Sequence, residues 1–281
     1  MNFIYYNTNI SITETTFPLH ITHVKIGSLY NNPIIAAPHI THLIFDDIGV
    51  FNKSLTFTDA SELKYIKFGC DYCQPLILPH HLTHLIFQKY SIFNMPLVLP
   101  PHLTHLQFGY HYNQPTILPP STTSVVFGEH YNICTTLPYG IKHVVFGYWY
   151  DQPTILPDSI SYLEFGGSYN QPTILPLHLK RVKFSYIFNQ HIQLPPHVEH
   201  VTIGRDYKYD IALPQSIKHF IIDDLTFVTG KYYEDQHKYI QQLRDNFNLV
   251  ETNVKSLKAH VEINIHNIKY KLSSLIDISL F

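Results

Sequence analysis

Charge is what this sequence lacks most. Lys, Arg, Asp and Glu make up 14% of the 281 residues, against about 25% in ordinary globular chains. The 19 basic and 21 acidic residues nearly cancel, and no run of either sign occurs. A nucleic-acid binder shows a basic face or stripe and a membrane-surface protein a polybasic cluster, so neither partner is expected. Cysteine is nearly absent too. Three residues, Cys70, Cys73 and Cys134, make no disulfide framework. No stretch approaches the roughly 18 consecutive apolar residues of a membrane span. The first residues, MNFIYYNTNISITETTFP, carry no Lys or Arg and no long apolar run, unlike a secretory leader. A soluble, monomeric chain of a reducing compartment, the cytoplasm, is the expectation.

What is present is a period. The residue before each Thr-His-like pair falls at Ile21, Ile40, Leu63, Leu82, Leu103, Thr122, Ile141, Ile160, Leu179, Val198 and Ile217, and eight of the ten intervals are 19 residues. Numbered from Leu99 in LPPHLTHLQFGYHYNQPTILP, the unit is apolar at positions 1, 5, 8, 10 and 19. Position 11 is usually Gly, 14 usually aromatic and 17 often Pro. All 19 prolines lie between Pro18 and Pro214, so the sequence after 224 is of another kind.

Leu103-Thr-His-Leu-Gln-Phe108 alternates Leu106 and Phe108 inward with His105 and Gln107 outward, the signature of a half-buried strand. Gly109 ends it. The return leg, Tyr112 to Pro119, holds two prolines and no helical spacing, which favours extended backbone. A 19-residue unit cannot bury its own apolar face, but stacked units share one core. The fold class is therefore mainly β: a solenoid of about eleven ~19-residue repeats with a parallel sheet, on the order of 50 Å long at the strand spacing. Residues 1–16 are expected to cap its start, 17–224 to form it and 225–281 to close its end as a small α+β cap. In that last region Tyr233, Ile240, Leu243 and Phe247 fall at helical spacing and Val261–Ile265 alternates like a strand.

The strand segment is similar to the L-x-x-L-x-L of leucine-rich repeats. The closer resemblance is to the FNIP repeat family, named for a Phe-Asn-Ile-Pro core, which Phe93-Asn94-Met95-Pro96, Tyr112-Asn113-Gln114-Pro115, Tyr150-Asp151-Gln152-Pro153 and Tyr169-Asn170-Gln171-Pro172 resemble. It covers residues 17–224. The resemblance implies a chain of amoebae or of the giant viruses that infect them, acting in the host cytoplasm if viral. It also implies, through the F-box many members carry, a substrate-recognition subunit for ubiquitin ligase; the residues before the first repeat are expected to hold no F-box. Leucine-rich repeats place a ladder asparagine three residues after the last strand leucine, whereas Asn113 comes five after Phe108. An asparagine ladder with a shifted turn is expected at Asn31, Asn94, Asn113, Asn132, Asn170 and Asn189.

Thirteen of the 20 histidines occupy repeat positions 4 and 7. Duplication explains their recurrence, and an outward polar rung is the expected role. The rival is a histidine ladder holding a metal ion, against which no Asp or Glu recurs as the partner a ligating imidazole usually has. Cys70-Asp-Tyr-Cys73 has redox or zinc spacing, but Cys134 lies three rungs away and four close ligands are lacking. Paired catalytic carboxylates, a phosphate loop and a nucleophile motif are missing. No catalytic residue, metal site or cofactor is therefore assigned, and the chain is not expected to be an enzyme. Positions 7 and 9 instead give a candidate binding face on successive rungs, expected to be concave: His84 and Ile86, His105 and Gln107, Val126, His143 and Val145, Tyr162 and Glu164, with Trp149 at its edge. Apolar residues in a row rimmed by His and Tyr suit a protein partner, whose identity the sequence leaves open.

Overall fold

A computed structural model describes residues 3–6, 17–58, 61–204 and 207–223. The region 225–281, expected to cap the solenoid, lies outside the described residues. Twelve parallel strands form one sheet: β1 (Phe3–Tyr6), β2 (His23–Ile26), β4 (His42–Phe45), β6 (Tyr65–Phe68), β7 (His84–Phe87), β8 (His105–Gln107), β9 (Ser124–Val126), β10 (His143–Val145), β11 (Tyr162–Glu164), β12 (Arg181–Lys183), β13 (His200–Gly204) and β14 (His219–Asp223), side by side in chain order. The return legs of the second and third rungs add a parallel pair, β3 (Ile34–Ala36) with β5 (Leu55–Phe57). No helix occurs among the described residues. The chain is a β-solenoid of about eleven ~19-residue turns, to which β1, from the segment before the first repeat, adds one more rung against β2.

Register repeats with the sequence. His84 pairs with His105, Leu106 with Val125 and Val144 with Leu163, so each position meets its own copy one rung away. Positions 8 and 10 are buried and 7 and 9 are not, as the period-two pattern requires. Position 10 stacks phenylalanines from Phe45 to Phe184 down the axis, and position 14 lays a second column of Tyr and Phe beside it. The position-14 hydroxyls need partners inside a dry core. Thr116, Thr135, Thr154 and Thr173 each give their hydroxyl proton to the carbonyl two residues back, so Tyr112, Tyr131, Tyr150 and Tyr169 donate to the threonine oxygens. Burial pushes the Tyr112 phenol up to about 12. Where Leu76 replaces that threonine, the buried Tyr72 hydroxyl has no partner.

The asparagine ladder forms in the shifted place. Asn94 Oδ1 accepts from Asn113 N, Asn113 from Asn132 N and Asn132 from Asp151 N, at 2.9 to 3.1 Å. Asn52 and Asp151 extend it beyond the residues expected. The return leg departs from the repeat pattern at position 19. Its extended backbone turns positions 18 and 1 inward, so position 19, apolar in most units, points out: Ile117 is 90% exposed while Leu118 is buried.

Candidate functional site

The site begins with the outward file at position 7. Thr41, Thr83 and Thr104 donate their hydroxyls to carbonyls of the preceding rung. Each threonine oxygen therefore accepts from the ring Nδ1–H of the next residue, His42, His84 or His105, at 2.9 Å. That bond fixes the neutral tautomer and leaves Nε2 as the acceptor. The rings stack face to face: His23 on His42 at 4.1 Å, His84 on His105 at 4.3 Å, His143 on Tyr162 at 4.3 Å and His200 on His219 at 4.6 Å between centroids. Stacked rings hold their Nε2 lone pairs parallel rather than converging on a point, the wrong geometry for chelation by a pair. Among the described residues no group of three or more His, Cys, Asp or Glu is placed to hold a metal ion.

Stacking has a protonic consequence. Burial holds the imidazoles of His42, His84, His143 and His200 below their ordinary range. Positive neighbours add to it: His23 and Lys64 at His42, His105 and His42 at His84, His105 at His143, Arg181 and His219 at His200, with Glu164 and Glu199 opposing at the last two. The unfolded chain, with imidazoles near about 6.5, then binds more protons, so stability is complete above that value and is lost as pH falls through it. We expect a lower urea midpoint at about pH 5.5 than at about pH 7.5, partly restored by salt. Replacing His84, His105, His200 and His219 with Gln should flatten the difference. A slope unchanged by the four substitutions would assign it to other groups.

Position 9 forms the floor of a groove of about 440 Å³ along Gln107, Val126, Val145, Glu164 and Lys183. Val126 and Val145 are half-buried and flanked by polar ends. Gln107 Nε2 donates to the Phe87 carbonyl at 3.2 Å. Glu164 accepts from the Tyr162 hydroxyl at 3.0 Å and from Lys183 Nζ at 2.8 Å. The wall is a strap. Tyr148 and Tyr186, both at position 12, join hydroxyls at 2.7 Å across two rungs. The ring of Tyr148 lies over Gly167, where a Cβ would come within 2.3 Å of it. Sequence reasoning missed this strap; the doublet Gly166-Gly167, which removes the side chain at position 12 in one unit alone, was its only local trace.

Of the expected site residues, His84, Ile86, His105, Gln107, Val126, His143, Val145, Tyr162 and Glu164 share the sheet face. Trp149 does not border it: half exposed, it lines a separate side groove with Ile92, His111, His130 and the ladder asparagines 94, 113 and 132. Cys70 gives its thiol proton to Gln88 Oε1 and is held above its usual range by burial, Asp71 and Asp47; all three cysteines are unpaired.

The FNIP Repeat model matches residues 93–130, 131–168 and 150–187. Comparison with curated proteins gives no match. Among solved structures the chain is similar to CroV588, a giant-virus protein described as a novel circular LRR structure, at 27% identity and a TM-score of 0.56, over 79% of this chain and 43% of that one. The chain thus spans less than half the length of that protein. The strand pairing runs unbroken through the matched segment and the rungs on either side of it, at intervals of 19 residues except for one of 21 where the segment begins, and residues 93–187 of the chain are FNIP repeats within a leucine-rich-repeat-like solenoid.

Proposed function

We propose that the chain is a non-catalytic binding solenoid that takes a polypeptide partner on its sheet face, along Gln107, Val126, Val145 and Glu164. Repeat solenoids of this kind serve as interaction scaffolds. The observation that carries the reading is the open groove itself: two half-buried valines between polar ends, against a tyrosine strap. An interface core is depleted of charge and lined by apolar and aromatic residues, and the centre of this stretch, Val126 and Val145 beside Tyr148, has that composition, with charge confined to its margins at Lys89, Glu129, Glu164 and Lys183. The partner it fits presents an apolar side chain over Val126 and Val145 and hydrogen-bonding groups towards Gln107 and Glu164.

The test is comparative capture from host-cell extract followed by affinity measurement on whatever binds. Val126→Lys with Val145→Lys should lower affinity about 30-fold or more, the scale of a disrupted hot spot. An Ile117→Lys variant, altered on the opposite face, should bind as the wild type does. Equal binding by all three, with unchanged urea midpoints, would remove the sheet face as the site.

A further inference from the structure

We propose that two copies of this chain associate back to back through an uncharged aliphatic stripe on the face opposite the sheet. The stripe is the outward column at position 19: Ile77, Val98, Ile117, Ile155 and Ile174 are 87 to 91% exposed, with Thr136 on the one intervening rung. Two residues earlier, on the same side of the extended return leg, these five rungs carry an exposed proline. None of residues 74–78, 95–99, 114–118, 133–137, 152–156 or 171–175 is Lys, Arg, Asp or Glu. A single exposed aliphatic needs no explanation; five in register, without one charge between them, mark an interaction surface.

The core does not use these side chains, since positions 18 and 1 fill it from the same segment. Six rungs at the strand spacing make the stripe about 24 Å long. At the area coefficient for aliphatic burial each such side chain contributes roughly 100 Å². Five of them with their prolines therefore offer on the order of 800 Å², the per-partner share of a standard interface. A second copy is the occupant this surface fits. A two-fold axis sets a patch against itself, and a column of β-branched side chains interleaves with another column of the same rung interval along its whole length. Absence of charged side chains leaves no ion unpaired when the two faces close. The pairing keeps both sheet faces free and gives a dimer where composition led us to expect a monomer.

Sedimentation velocity of the full chain over a concentration series tests this. The expected species has twice the 32.8 kDa chain mass. Ile117→Lys with Ile155→Lys should shift the dimerisation midpoint roughly 100-fold or more, because it places unpaired charges in the contact. The melting temperature of the diluted protein should not change, since both side chains are about nine-tenths exposed. Val145→Lys, on the other face, should leave the dimer intact. A single-chain mass throughout the series overturns the proposal, as does a dimer that survives the double substitution or is lost equally with Val145→Lys. Flotation of a single-copy chain with phosphatidylcholine vesicles, abolished by the same two lysines, also overturns it by assigning the stripe to a lipid surface.

Discussion

Gly147→Ala is expected to destabilise the solenoid by about 3 kcal/mol or more, at or beyond the upper end of overpacking costs. The glycine column at position 11 marks close approach between rungs. A Cβ on Gly147 would lie 1.8 Å from the carbonyl oxygen of Gly128 and 2.5 Å from its carbonyl carbon, and Gly128 and Gly166 meet the preceding glycine carbonyl at 1.9 and 2.0 Å. These are backbone atoms, so no side-chain rotation relieves the clash. The two rungs must separate, and the strand bonds beside them, such as Phe127 N to Val145 O at 2.8 Å, must lengthen. Asp46, Gln88 and Ser185 hold a Cβ at this position on other rungs; the close glycine-to-glycine approach is confined to the run Gly109, Gly128, Gly147 and Gly166. The control is Gly140→Ala, in a turn where the nearest atom to a new Cβ is the Pro120 carbonyl at 4.0 Å. There the lost unfolded-state entropy should leave the protein unchanged or up to about 1 kcal/mol more stable. Urea midpoints of the two variants measure the contrast. A Gly147→Ala loss of under about 1 kcal/mol, below the overpacking range, would mean that the rungs part without resistance.

The same column shows where sequence reading reached and where it stopped. Gly109 was legible as a strand terminator, but not why glycine recurs, because the clash is with a residue 19 or so positions away and only the stacked geometry brings it near. The repeat strands of the sheet were legible; β1, before the first repeat, was not. Alternation within six residues assigns each side chain a face, and a fixed period forces neighbours into register, so His84 beside His105 followed without coordinates. The asparagine ladder was legible for the same reason, including its displaced position. The return leg was legible as extended but not in its facing. Ile117 and Leu118 are adjacent and equally apolar, and hydropathy alone does not say which points inward; the same facing recurs at Ile77 and Val98, where leucine replaces the threonine, so it is a property of the extended return leg and not of one local bond. Trp149 was grouped with the sheet face because it follows the strand by four residues; two positions past the glycine, the chain has already turned onto the side groove. The Tyr148–Tyr186 strap spans 38 residues, and its one local trace, the Gly166-Gly167 doublet, does not name the two tyrosines that join above it.

Phe146→Ala should cost about 3–5 kcal/mol, as large-to-small core changes do, and should also broaden unfolding. Phe146 is 2% exposed and is packed on three sides by aromatic rings: Phe127 at 5.3 Å, Phe165 at 5.4 Å and Tyr150 at 4.1 Å between centroids. Removing it leaves a gap that neither column can close, because the rung spacing is set by the backbone ladder and the flanking rings are held by their own neighbours. The second effect follows from one-dimensional architecture. Stability of a stacked array is approximately a sum of unit terms and nearest-neighbour contacts, and Phe146 directly follows β10, within the array and not at its end. A defect there weakens the contact joining the two flanking halves, so they unfold less as one unit and the denaturant slope falls along with the midpoint. Trp149→Ala serves as the comparison three residues away. Half exposed and outside the columns, it should change stability by no more than about 0.5 kcal/mol and leave the slope as it was. Urea unfolding followed by far-ultraviolet circular dichroism reads both quantities. A Phe146→Ala loss of under about 1 kcal/mol, or one matched by Trp149→Ala, would mean that the aromatic columns merely fill the interior, with cohesion between rungs residing in the backbone and asparagine ladders.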